Sequence, residues 1–141
     1  MLGKYDKDHA FQAQVQEAAS AEVLFPGAIY DAPTVNALRF HCLAYMHGHR
    51  VGGTNPSLVE ALGAGNPVIA HDNPFNRWVA GEAGVYFRDT AECSDRIERL
   101  LSDKAARETM RQSAHRRWQD EFRWPKVLES YRLLLEGALT P

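Results

Sequence analysis

The stretch Val51-Gly-Gly-Thr-Asn-Pro-Ser-Leu-Val-Glu-Ala-Leu-Gly-Ala-Gly-Asn-Pro67 decides how the chain is read. It opens as a glycine-rich loop, turns into a short helix at Pro56, and ends at Gly65 and Pro67 before the apolar run Val68-Ile-Ala70. Paired glycines let backbone amides approach a ligand without side chains in the way. Proline suits the first helical turn, where its missing N–H has no helical partner to lose. Thr54 or Asn55 can cap the exposed amides. A loop feeding a helix N-terminus in this way suits an anion, above all a phosphate or diphosphate. Glu60 lies about one turn into the helix, on a similar face to Pro56. A carboxylate repels phosphate, but it can accept hydrogen bonds from sugar hydroxyls beside one.

Outward from that stretch, strand and helix signals alternate. Leu2-Gly3 reads as the end of a strand. Asp8 can cap a helix running to about Ala19. Glu22–Phe25 reads as a short strand closed by Pro26-Gly27, and Ala28–Asp31 as an extended piece or loop. Asp31 and Pro33 start a helix with Val35 and Leu38 inward, failing near His41. Cys42–Met46 reads as a buried strand, followed by a loop from His47 to Arg50. After the central stretch come a strand at Val68–Ala70, a polar turn from His71 to Arg77, a short helix through Ala80 and a strand at Gly84–Phe87. From Thr90 onward the chain reads as helical. Ile97, Leu100 and Leu101 mark one helix. Met110, Ala114, Trp118 and Phe122 recur every four residues as a core-facing stripe. Pro125 opens a last helix with Val127, Leu128, Tyr131, Leu134 and Leu135 inward. The alternating arginines and glutamates between Arg96 and Glu121 read as a solvated face.

This order predicts an α/β fold: a Rossmann-like parallel sheet with flanking helices and a helical C-terminal tail. Ligands of such sheets sit beyond the carboxyl ends of the strands. Three loops lie there, at Gly27–Asp31, His47–Asn55 and His71–Asn76. His47 and His49 should point in a similar direction. One can donate to a diphosphate or a sugar hydroxyl while the other packs, and Arg50 is a natural phosphate partner. Asp72, Asn73 and Asn76 can either bond their own turn or face a ligand.

The chain has 141 residues, 45% hydrophobic and 24% charged, with a formal charge of −2. That suits a single globular domain and gives no general attraction to nucleic acid or acidic membranes. No apolar run is long enough to span a bilayer, and the first residues lack the apolar core of a secretory signal. Cys42 and Cys93 read as two reduced thiols without metal-ligand spacing. There is no Gly-x-Ser-x-Gly elbow, no Walker loop and no Gly-x-Gly-x-x-Gly. Hydride transfer and ATP hydrolysis are therefore poorly supported.

The run from Leu43 to Phe87 resembles the donor-binding half of GT-B-fold glycosyltransferases, specifically the retaining family 4 ("glycosyl transferases group 1"). Leu58-Val-Glu-Ala-Leu-Gly-Ala-Gly-Asn-Pro-Val-Ile-Ala70 matches the family's Glu-Ala, small residues, Gly-x-Pro-Val pattern. Gly84-Val-Tyr-Phe87 is similar to its Gly-x-Leu-Phe strand, and Phe122-x-Trp124-x-x-Val127 to the segment opening its last helix. Tyr45–Glu60 resembles a bacterial polysaccharide subgroup that includes rhamnosyl- and other hexosyltransferases. The resemblance implies a single nucleotide-sugar-binding domain over 1–141, one half of a GT-B fold. It implies retaining transfer from a nucleoside diphosphate sugar to a saccharide or lipid-linked acceptor, with no metal and no other cofactor. Carried over by position, Glu60 would meet the ribose hydroxyls, and the amides around Gly53, Thr54, Asn55, Pro56 and Ser57 the sugar and diphosphate. Ile29 and Asp31 would meet the base, and His49, Arg50 and Asp72 would lie nearby. No catalytic residue is assigned.

Two departures stand out. The family's first Glu, eight residues before Glu60, is Gly52 here, with His49, Asn55 or Asp72 as the available substitutes. The acceptor domain, the first donor-domain strand and the nearby basic residues that hold the diphosphate are missing, as expected of a piece of a longer enzyme. That enzyme would be cytoplasmic, with peripheral association at the inner face of the membrane open to it. Two other readings stand beside this one: a non-catalytic nucleotide-sugar-binding or interaction domain, and a nucleotide-sugar epimerase.

Overall fold

The computed structural model describes residues 1–6 and 8–139. The chain divides into two compact units, Met1–Leu38 and Arg39–Pro141, with the boundary inside one helix.

The first unit holds α1 (Ala10–Ala18) and most of α2 (Ala32–His41). Asp8 does not cap α1. The cap position is His9, which makes no side-chain cap bond. Asp31 does start α2, accepting from the Thr34 amide at 2.9 Å and its hydroxyl at 2.6 Å. The expected strand at Glu22–Phe25 does not form. Only Gly27 pairs, in a single parallel bridge to Leu2, with the Gly3 amide donating to the Gly27 carbonyl at 3.1 Å. A strand needs a neighbour to ladder with, and one bridge leaves Leu24 exposed. Leu38, expected inward, is also exposed.

The second unit is a three-stranded parallel sheet in the order β1 (Tyr45–His47), β2 (Val68–His71), β3 (Gly84–Phe87). Tyr45 pairs with Val68, and Val68 with Gly84, and the register runs on from there. Alternation sorts the side chains by face. Val68 and Ala70 pack with Tyr45 and Tyr86 under α3 (Pro56–Gly63), α4 (Pro74–Ala80) and α6 (Lys104–Glu121). Ile69, with Val85 and Phe87, packs on the other face against Leu100 of α5 (Thr90–Ser102) and Met110 of α6. The periodic stripe at Met110, Ala114, Trp118 and Phe122 thus serves core packing, as its spacing predicts. A parallel sheet covered on both faces and followed by a helical tail is the Rossmann-like arrangement read from the sequence.

Three details differ. β1 starts later than expected and takes in His47, which is buried. Arg111 and Arg117 turn inward instead of joining a solvated face. Arg111 donates to the Cys42 carbonyl at 2.7 Å, and Arg117 to the Trp78 carbonyl at 2.6 Å. Loop and helix-end carbonyls need such donors when helices pack over them. In α7 (Trp124–Leu139), Leu128, Tyr131, Leu134 and Leu135 are exposed, not inward. Their spacing is amphipathic, but no element among the described residues covers that face.

Two glycines are fixed by close contact. A Cβ on Gly63 would lie 3.0 Å from Nε1 of Trp118, and one on Gly84 would lie 2.7 Å from the Tyr86 hydroxyl. Gly63 is where α3 meets α6, so a side chain there separates the two helices. We expect Gly63→Val to lower unfolding stability by about 1–3 kcal/mol, with a changed Trp118 environment. Urea denaturation followed by tryptophan fluorescence measures both; an unchanged midpoint would contradict the contact.

Candidate functional site

The site is built on two Asn-Pro turns. Asn55 precedes Pro56 at the start of α3. Its side-chain oxygen accepts from the Ser57 amide at 3.1 Å and the Ser57 hydroxyl at 2.6 Å. Asn73 precedes Pro74 at the start of α4 and accepts from the Asn76 amide at 2.9 Å. Both helices begin past the carboxyl end of a sheet strand, so both N-termini rise on the ligand-binding side of a parallel sheet.

The first turn of α3 is already satisfied from within. Pro56 has no amide, Ser57 is capped, and Leu58 and Val59 both donate to the Asn55 carbonyl at 3.1 Å. The Ser57 amide is therefore engaged with Asn55. Among the described residues, no hydrogen bond uses the amides of Gly52, Gly53, Thr54 or Asn55. The amides of Gly48 to Val51 have no such bond either, so the loop presents a longer run of free donors. Gly52 has φ +136°, a conformation that L side chains rarely adopt, in otherwise open space. The backbone here, not crowding, selects glycine.

The loop is tied down at its other end. The His49 carbonyl accepts from Nδ2 of Asn73 at 3.0 Å and Nδ2 of Asn76 at 2.9 Å. Asn76 is buried and also donates to the His71 carbonyl at 2.8 Å. The sequence left Asn73 and Asn76 open between turn and ligand; their side chains serve the turn and the neighbouring loop. Arg50 is exposed and has no ion-pair partner among the described residues.

The two histidines do share a direction. Their rings stack at 4.6 Å between centroids and 18° between planes. His47 is the packed member, 1% exposed, and its Nε2 has no hydrogen-bond partner. Burial, helped by the neighbouring His49, lowers its pKa to about 4, so its imidazole is neutral at pH 7. His49 is exposed. His71 also has a buried unpartnered nitrogen, Nδ1, and meets Phe87 edge-on at 5.8 Å.

The two acidic candidates of this unit are paired. Glu60 Oε2 lies 2.6 Å from Arg39. Asp72 takes two bonds from Arg77, which hold its carboxyl below the usual range. Arg77 in turn lies over the Tyr86 ring at 4.4 Å, and burial pushes the Tyr86 phenol up to about 12. Ile29 and Asp31 belong to the first unit. Ile29 is half-buried there, and the Asp31 carboxylate is used as the α2 cap, its pKa lowered first by the Thr34 hydroxyl. Among the described residues no group of three or more His, Cys, Asp or Glu gathers as metal ligands, and no helix is long and apolar enough to cross a membrane.

Sequence reasoning missed Arg39, because its partner Glu60 is distant in sequence and no local spacing announces it. It also missed a cleft of about 640 Å³ beside Glu60, between the start of α3 and the α6–α7 corner. Its walls include Thr54 and Glu60 on one side and Trp118, Phe122, Arg123 and Trp124 on the other. The aromatic residues were legible only as core.

The fold is an α/β half of Rossmann type with an amide-rich loop at the carboxyl end of its sheet, the end where ligands of such sheets sit. Residues 4–132 match the model of the glycosyl transferase-like family, and the chain belongs to that family. No curated protein matches the chain.

The buried His47 makes stability depend on pH. The unfolded chain protonates it near the ordinary pKa of about 6.5, while the folded chain does so only near 4. Above pH 6.5 the residue is neutral in both states and costs nothing. As pH falls from about 6.5 to 4, the unfolded state binds the proton first and stability declines, by up to about 3 kcal/mol. We expect His47→Gln to flatten that decline in urea titrations at pH 7 and pH 4.5. An equal decline in the variant would mean that other groups carry it.

Proposed function

We propose that this chain is the donor-binding half of a retaining GT-B-type glycosyltransferase and takes a nucleoside diphosphate sugar at the Gly52–Asn55 loop. The observation that carries the reading is the run of loop amides, those of Gly52 to Asn55 included, that no hydrogen bond among the described residues uses, beside Arg50, which has no ion-pair partner among them. An anion at that point accepts from the amides, and the guanidinium supplies the formal positive charge. In glycosyl transfer the bond from the anomeric carbon to the diphosphate oxygen breaks as the acceptor oxygen bonds that carbon, so negative charge develops on the leaving nucleoside diphosphate and donors fixed there before reaction stabilise the transition state. Glu60 keeps one carboxylate oxygen outside its bond to Arg39, and that oxygen is the acceptor for ribose hydroxyls. Arg39 is then a positioning residue, holding the carboxylate in one rotamer.

On this reading the sugar transferred is a hexose, the acceptor is a saccharide or lipid-linked saccharide, and the work is cytoplasmic polysaccharide synthesis. The acceptor itself is held by a separate domain, so the chain alone binds nucleotide and transfers nothing. A second reading, binding without transfer, is favoured by Gly52, which places no carboxylate where the resembled family meets the donor sugar.

Titration calorimetry with UDP, GDP and dTDP tests the site. We expect one of them to bind, with Arg50→Ala weakening it by about tenfold and Glu60→Ala by roughly fivefold, the scale of one charge-assisted hydrogen bond each. Lack of binding by all three in a folded sample would sink the donor reading. Binding that is unaffected by Glu60→Ala would remove only the ribose assignment.

A further inference from the structure

We propose that the uncovered face of α7 pairs antiparallel with α7 of a second copy of this chain, making a twofold dimer. The pairing rests on no part of the function proposed above. Exposure alone selects nothing, since Leu24, Phe40 and Val51 are exposed as well. Order does. Trp124, Leu128, Tyr131 and Leu135 follow one another at steps of four, three and four along one helix, and all four are more than half exposed. Such spacing is the seam of a two-helix coil, whose partner covers positions that repeat every 3.5 residues. Leu134, also exposed, widens the seam, and half-buried Val127 borders it.

The side chains of the seam alternate in kind: aromatic, leucine, aromatic, leucine. Run antiparallel, two copies set Trp124 against Leu135 and Leu128 against Tyr131, and symmetry gives the same two pairs again. Each of the four layers then holds one aromatic ring and one leucine. A parallel pair would put tryptophan on tryptophan and tyrosine on tyrosine, crowding two layers and leaving the leucine layers thin. A stripe that complements itself when reversed is what a twofold interface requires. No seam position carries a charge. Arg132 is bonded to Glu129 and Glu136 of its own helix. The seam offers on the order of 600 Å² of side-chain surface per chain, against the ~800 Å² that each partner of a standard interface buries. Trp124 and Val127 also line the cleft at the α6–α7 corner, so the apolar surface continues past the seam. A membrane surface is disfavoured: interfacial helices carry a basic polar face, whereas α7 sets Lys126 and Arg132 against Glu129 and Glu136.

Sedimentation velocity of the full chain across the micromolar range tests this. We expect the mass to rise from 15.8 kDa to twice that as concentration increases. Tyr131→Glu should weaken the dimer about tenfold or more, with an unchanged circular dichroism spectrum, because Tyr131 is exposed. Oxidising a mixture of Leu128→Cys and Tyr131→Cys chains reads the direction of pairing. We expect the mixed disulfide-linked dimer to exceed both self-linked ones and the background that Cys42 and Cys93 give in the parent. Monomer throughout the range overturns the proposal, as does a dimer that Tyr131→Glu leaves intact. Preferential self-linking of Leu128→Cys overturns it too, since the helices would then run parallel. Flotation of the parent, but not of Tyr131→Glu, with phosphatidylserine vesicles would assign the face to a membrane and overturn it in the same way.

Discussion

The carbonyl of His49 holds the loop chemistry in place. It accepts from both Asn73 and Asn76, and Asn76 is buried as it does so. The segment it anchors contains Gly48, Gly52 and Gly53, and a Cβ at any of them would meet nothing within 4 Å. A loop with so little packing loses much entropy on ordering. Pinning it at His49, and again at Asn55 through the helix cap, leaves a short span between two fixed points. The donors of Gly52 to Asn55 lie in or beside that span. The sheet matters to the site chiefly because it brings the β2–α4 turn next to the β1–α3 loop, so that two asparagines of one can hold the other.

Charge pairing decides what such a loop attracts. Glu60 is matched by Arg39 and Asp72 by Arg77, so neither carboxylate presents a free negative charge. His47 is neutral in its buried position. Arg50, next to the amides, has no ion-pair partner among the described residues. Backbone N–H dipoles and one guanidinium then set the local potential, although the chain as a whole carries −2. Net charge excludes a broad polyanion surface but says nothing of a site this small.

Local signals in the sequence carried much of this. Asn-Pro at positions 55–56 and 73–74 predicts two helix starts, because cap and proline act within one turn. Val68–Ala70 and Gly84–Phe87 read as strands because short apolar runs between breakers have few other uses in a parallel sheet. What depended on distant partners was not legible. Glu22–Phe25 has strand composition, but among the described residues no strand ladders with it. The α7 stripe has core spacing, but no element among the described residues lies over it. Arg111 and Arg117 look like surface charges until the carbonyls of Cys42 and Trp78 are seen beneath them. Arg39 meets Glu60 only after the chain has folded through β1 and the loop.

Position 52 is where sequence and structure bear most directly on one another. The resembled family places a carboxylate there, and this chain has glycine. The reason is visible in the backbone: φ of +136° is strained for any L side chain, although the surrounding space would admit one. On either side of Gly52 the loop amides have no hydrogen-bond partner among the described residues. A glutamate would force a different backbone and would set a negative charge beside Arg50 and those amides. At position 52 the chain therefore has a backbone conformation that suits glycine in place of a side chain that the open space would admit.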